Sequence, residues 1–197
     1  MAATVTMQAA AARSPETADA QLCPHFRPVW RAAHDGAAYC LRPLRQSDRG
    51  SEKVFIDSLS AQSRYQRLMF TQPEASDSFM DSMMQLDYTN TMALAAVAAS
   101  PGGESIIGVA RYAPGAAARE IEFAIVVADR WQRRGVGVQL LRCLFDYART
   151  RRFVLACGVT FANNAGMVAL ATRLGMSVMA DAEDDSVVDV AVHLQRL

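Results

Sequence analysis

Gln132-Arg133-Arg134-Gly135-Val136-Gly137 places two arginines and two closely spaced glycines between an apolar run, Glu120 to Val127, and an amphipathic stretch that begins near Val136. Such a junction is an anion site. The first N–H groups of a helix lack internal partners, the helix dipole adds partial positive charge, and glycine lets a phosphate approach the chain closely. A tight turn with solvated arginines is the plainer alternative. Just before the loop, Glu120 and Glu122 fall two residues apart on a strand pattern and so share one face, where a carboxylate can accept a proton from a reacting group. The same pair also fits a solvated strand face with no chemistry.

Two familiar nucleotide patterns fail here. The third small residue of a dinucleotide fingerprint would fall at Leu140, and the loop follows several strands instead of the first. A Walker-type loop lacks its Gly-Lys-Ser or Gly-Lys-Thr. Cys23, Cys40, Cys143 and Cys157 form no C-x-x-C pair, which argues for reduced thiols in a cytoplasm and against a disulfide framework. Cys23-Pro24-His25 offers two metal ligands, but nothing nearby completes a set of four, and no metal is expected. His34 and His193 read as structural or exposed. Apolar neighbours make Cys157 an inert core thiol in place of an acyl-carrying nucleophile.

The elements that must position the loop follow from periodicity. Residues 1–36 mix alanine, proline and charge and read as a flexible arm, with one domain from Ala37 to Leu197. Tyr39 to Arg45 alternates as a strand. Three short helical faces follow, marked by Val54, Phe55 and Leu59, by Tyr65, Leu68 and Met69, and by Phe79, Met83 and Leu86. Met92 to Val97 and Ser105 to Tyr112 read as a hairpin across Pro101-Gly102-Gly103, and Glu120 to Val127 as a central strand. Val138, Leu141, Phe145 and Ala148 repeat at helical spacing, and Phe153 to Val159 completes a βαβ unit. Asn163 or Asn164 can cap a helix that buries Met167, Leu170 and Leu174 and ends at Gly175, before a last strand over Val188 to Leu194. The expected fold is α/β (α+β): a mixed, mostly antiparallel sheet of about seven strands with helices on both faces.

Twenty basic and twenty acidic residues cancel, so no global field draws in nucleic acid or an anionic membrane, and Met92 to Ala99 is too short to span a bilayer. A homodimer is compatible with this composition.

The loop matches the Q/R-x-x-G-x-G/A acyl-CoA signature of the GNAT superfamily, and Asn164-Ala165-Gly166-Met167 with Arg173-Leu174-Gly175-Met176 resembles its second cofactor-side motif. The resemblance implies acetyl-CoA as acyl donor and a sheet whose two central parallel strands splay apart. The pyrophosphate would sit at Gln132, Arg133, Arg134, Gly135, Val136 and Gly137, and the pantetheine arm along Ile125, Val126 and Val127, with Asn164 and Met167 beside it. Asn164 read alone is equally a helix cap.

A narrower resemblance is to the acetyltransferase domain of bacterial Pat-type protein lysine acetyltransferases. Ser63-Arg64-Tyr65-Gln66-Arg67 looks like that group's S-R-Y-x-R segment, Leu86-Asp87-Tyr88 like its I-D-Y segment, and Glu122-Phe123-Ala124-Ile125-Val126-Val127 like its E-F-A-V-V-V strand. It implies Glu122 as general base, with an amine acceptor that is a protein lysine or a small molecule. A lysine amine with a pKa of ~10.4 is mostly protonated at neutral pH, which is why a base is needed. The tyrosine that many GNAT enzymes carry seven residues after the motif asparagine is Ala171 here. Its absence keeps a non-catalytic acyl-CoA-binding module as the alternative. The acceptor side is expected from Ser51 to Leu86 and from the loop holding Asp181, Glu183, Asp184 and Asp185, which also reads as a plain solvated turn.

Overall fold

The structure, a computed structural model, describes residue 23 and residues 26–68, 75–182 and 184–196. Pro24 and His25 of the weighed metal motif, Met69 of the second helical face and Glu183 lie outside the described residues, as does most of the expected arm.

Eight strands form a single sheet: β1 (Val29–Ala32), β2 (Ala38–Pro43), β3 (Met92–Ser100), β4 (Gly103–Pro114), β5 (Glu120–Val127), β6 (Leu155–Phe161), β7 (Ser177–Ala180) and β8 (Val187–His193). Their order is β1-β2-β3-β4-β5-β6-β8-β7, and every neighbouring pair is antiparallel except β5 and β6. The helices are α1 (Arg49–Asp57), α2 (Ala61–Leu68), α3 (Asp77–Met83), α4 (Val136–Thr150) and α5 (Ala165–Arg173). The mixed, mostly antiparallel sheet with one central parallel pair is as expected. The strands beyond the expected number are β1 and β7, each of four residues and mostly exposed, too short to show a period.

β1 also shifts the start of the fold. Val29–Ala32 pairs with β2, so this part of the segment read as an arm belongs to the sheet. Upstream of it, Cys23 and Phe26 are buried, the Cys23 thiol donating to Tyr147 Oη at 3.1 Å. The Tyr147 hydroxyl donates in turn to the Tyr88 carbonyl at 2.5 Å.

The core has two layers. Met92, Leu94, Ala96 and Ala98 of β3 face α4, and Ala93, Ala95 and Val97 face α1 and α3. Burial on both faces is why this strand is an unbroken apolar run without alternation. Helix α4 supplies Val136, Leu140, Leu141, Leu144 and Phe145, and the Phe145 ring meets Phe123 of β5 edge-on at 5.1 Å. Each such side chain contributes about 1.5–3 kcal/mol by burial, which fixes the start of α4 against β5.

Candidate active site

The parallel pairing of β5 and β6 covers only Glu120↔Leu155, Ile121↔Ala156 and Glu122↔Cys157. Both strands continue past it, and a cleft of about 660 Å³ opens between Ala124–Val127 on one side and Gly158–Thr160 on the other. The glycine loop and Asn163–Met167 also line it. Along this stretch β5 is hydrogen-bonded to β4 only, which leaves the backbone groups on its β6 side open to an extended ligand.

Gly135 is the N-cap of α4 with φ of +88°, a left-handed conformation that glycine adopts without cost. Side chains hold this turn from three directions. The Gln132 amide donates to the Val127 carbonyl and to Ser63 Oγ, both at 3.1 Å. The His34 N–H donates to the Arg134 carbonyl at 3.0 Å. Asp35 accepts from Arg134 at 2.7 Å, and that guanidinium lies 5.5 Å over the Trp131 ring.

Of the residues expected at the pyrophosphate, Gln132, Arg133, Gly135 and Gly137 line the cleft. Arg134 is engaged by Asp35 and Trp131, and the Val136 side chain is buried in the core, so only its backbone faces the loop's concavity. Ile125, Val126, Val127, Asn164 and Met167 also border the cleft. Asn164 caps α5, its Oδ1 accepting from the Met167 N–H at 3.1 Å while its Nδ2 donates to Thr160 Oγ1 at 3.0 Å. His34 was not found by sequence reasoning. It sits at the tip of the β1–β2 hairpin and lines the cleft, and no local signal links it to a loop about a hundred residues away.

Helix α2 spans the two diverging strands. Asp129, just beyond β5, accepts from Ser60 and Ser63 at 2.7 Å each, while Tyr65 stacks on Phe161 at the end of β6 with centroids 4.8 Å apart. This is the work of the serine and tyrosine in Ser63-Arg64-Tyr65-Gln66-Arg67: they fix α2 across the open end of the wedge.

Glu122 stands at the last paired position of β5, opposite Cys157, where the strands begin to part. Its carboxylate is exposed and makes no hydrogen bond among the described residues. Glu120 accepts from the Ala116 N–H at 3.3 Å and belongs to the turn before β5. Burial, and then the carboxylates of Glu120, Asp189 and Glu122, push the Cys157 thiol up, which keeps it protonated and non-nucleophilic. Ala171 is fully buried, so its position turns into the core and away from the cleft. Asp181 and Asp184 hold their own turn, Asp181 accepting from the Asp184 N–H and Asp184 from the Ser186 N–H, both at 2.9 Å.

No helix among the described residues is long and apolar enough to cross a membrane. Among them, no group of three or more His, Cys, Asp or Glu is placed to hold a metal ion.

Comparison with known proteins gives this cleft a context. Residues 39–177 match the family model of the acetyltransferase (GNAT) domain. The chain is 34% identical over 152 residues to acetyltransferase PA5475 of Pseudomonas aeruginosa, covering 77% of this chain and 82% of that one. Among solved structures, the GNAT domain of S. lividans PAT superposes with a TM-score of 0.75 at 25% identity, over 84% of this chain and 96% of that one. A cAMP-binding acyltransferase from Mycobacterium smegmatis shares the fold at a TM-score of 0.59 and 20% identity, over 91% of this chain and 51% of that one. A splayed β5–β6 pair with a glycine loop at its mouth, a matching family model and an acetyltransferase relative agree: the chain belongs to the GNAT acetyltransferase family.

Proposed function

We propose that this protein transfers an acetyl group from acetyl-CoA to a primary amine, on a protein lysine or a small molecule, with Glu122 as general base. The observation that carries the reading is the position of Glu122, at the apex of the β5–β6 wedge and two residues from the open backbone of β5. Acetyl-CoA supplies an activated thioester. Gly135, Gly137 and the first N–H groups of α4 fit a pyrophosphate, and the unpaired side of β5 fits the amide-bearing pantetheine arm. The amine gives its proton to Glu122 directly or through one water and attacks the thioester carbon, so that a C–N bond replaces the C–S bond. Backbone N–H groups near Val126 and Val127 are the donors for the charge that gathers on the thioester oxygen.

With Ala171 buried and Cys157 held protonated, transfer is direct and the thiolate leaves without a side-chain acid at position 171. The free cysteines suit a reducing cytoplasm. The test is thiol release from acetyl-CoA over a panel of polyamines, amino acids, aminoglycosides and lysine peptides. Release with one acceptor class identifies the substrate. Binding of acetyl-CoA without release from any member would reduce the protein to a binding module.

A further inference from the structure

Beneath α2, on the β5 face opposite α4, three charged side chains come together without balancing. Glu52 of α1 is buried and accepts a hydrogen bond from Arg111 of β4, whose side chain is also nearly buried. Arg111 spends a second donor on the Met83 carbonyl at 2.8 Å. Glu52 Oε2 and Arg111 Nε have no partner among the described residues. Arg67 of α2 is half-buried, lines the cleft and makes no hydrogen bond among the described residues.

Burial first, and then the Arg111 charge, pull the Arg67 guanidinium down to about 10, with Glu52 pushing it back. It is still a cation at neutral pH. Two guanidinium groups thus face one carboxylate, and any protonation of Glu52, which burial pushes up, only enlarges the excess. No nearby carboxylate makes up the difference. Asp48 is held by Arg42 through two bonds of 2.7 and 3.0 Å, and Asp57 by Lys53 at 2.6 Å. The second carboxylate on Arg42, Glu104, has a side chain 46% exposed and is solvated.

An unbalanced positive charge in a half-buried site is costly until an anion meets it, and this one is reached through the cleft. Arg111 lies directly across from Ala124, and Ala124 follows Glu122 by two residues on the same face of β5. The cluster therefore borders the place where acyl group and amine meet, away from the glycine loop that fits the pyrophosphate. We infer that Arg67 is a specificity residue which seats a carboxylate carried by one of the two substrates, either at the far end of the acyl group or on the acceptor. The guanidinium fork suits a carboxylate in shape and charge. The transfer is unchanged: the amine proton goes to Glu122, the C–N bond forms, the CoA thiolate leaves, and the distal carboxylate does not react. The inference rests on the acyl-transfer reading above.

Two measurements on the full-length protein distinguish the sources. In the first, calorimetry compares succinyl-CoA with acetyl-CoA. In the second, kcat/KM with acetyl-CoA compares acceptors that differ only in a free carboxylate or its carboxamide. A charge-assisted pair predicts a preference of roughly ten-fold to a hundred-fold for the carboxylate form in one arm, abolished in Arg67→Gln. Arg67→Lys, which keeps the charge and loses the fork, retains part of it and serves if Arg67→Gln does not fold. Loss in the first arm puts the carboxylate on the acyl group, and loss in the second puts it on the acceptor. Wild-type protein that favours neither form in either arm overturns the inference, as does a preference that persists in folded Arg67→Gln. Acetyl-CoA binding and thiol release without any carboxylate preference would leave the acyl-transfer reading standing, whereas failure to bind any acyl-CoA would sink both.

Discussion

On the α4 side of β5 the cleft is shaped by one run of six residues, Gln132 to Gly137, whereas on the α1 side its charge comes from Glu52 in α1, Arg67 in α2 and Arg111 in β4. The first wall uses backbone: a left-handed glycine, the free N–H groups of a helix start, and a strand edge. The second uses side chains brought together across long separations, with 59 residues between Glu52 and Arg111. A backbone wall gives the same anion site to many side-chain contexts. A side-chain wall is particular to this protein, and it is where selectivity for the acceptor or the acyl tail has to arise.

Glu122 stands between the two walls, and its removal should have the largest effect. Glu122→Gln keeps the shape and deletes the base, so turnover should fall by roughly a hundred-fold to ten-thousand-fold with acetyl-CoA affinity nearly unchanged. The deficit should narrow as pH rises toward the ~10.4 of a free lysine, because more amine arrives neutral. Glu120→Gln should be milder, since that carboxylate is tied to the Ala116 N–H. Normal turnover in Glu122→Gln with a crippled Glu120→Gln would move the base by one strand repeat.

The side-chain wall should fail in stability when it is half dismantled. Arg111→Met leaves Glu52 as a buried carboxylate that has lost its only printed partner, and breaking such a pair costs about 3–5 kcal/mol. Glu52→Leu with Arg111→Met removes both charges together and should recover most of that loss. Urea denaturation midpoints decide it. A double variant no better than Arg111→Met alone would show that packing, not charge, is what the pair supplies.

The backbone wall should fail in binding. A Cβ at Gly137 would sit 3.3 Å from Leu170 Cδ2, so Gly137→Val forces a shift at the start of α4, where overpacking costs about 1–3 kcal/mol, or roughly five-fold or more in affinity. Calorimetry with acetyl-CoA measures it. Unchanged affinity in a folded variant would exclude Gly137 from the site.

These two walls also explain what the sequence made legible. Gln132 to Gly137, the β5–α4 junction and the Asn164 cap could be read because each rests on neighbours within a few residues. The charge cluster could not, because nothing near Arg67 says that Glu52 and Arg111 will lie beneath it. β1 and β7 escaped for a related reason: four residues carry no period, and these strands exist through their pairing with β2 and β8. Arg134 looked like a second phosphate cation, but its partners, Asp35 and Trp131, are fixed by the tertiary position of the β1–β2 hairpin.

His34 is where that hairpin touches the backbone wall, and it allows the finest test of whether the two kinds of construction are independent. A Cβ at Gly135 would lie 2.7 Å from His34 Nε2, and the φ of +88° adds about 1–2 kcal/mol of strain for any residue with a side chain. Gly135→Ala therefore pays for strain and contact together. In a His34→Ala background the contact is gone and the strain remains. The imidazole can turn about its own torsions, so the coupling in a double-mutant cycle should be small, about 0.5–1 kcal/mol, near the low end for residues in contact. At about 2–4 °C per kcal/mol for a chain of this size, thermal unfolding of the four proteins resolves it. A smaller penalty for Gly135→Ala when His34 is absent makes the hairpin tip part of the loop's structure. Equal penalties in both backgrounds would mean that the ring swings aside freely, and that the glycine is required by its backbone angle alone.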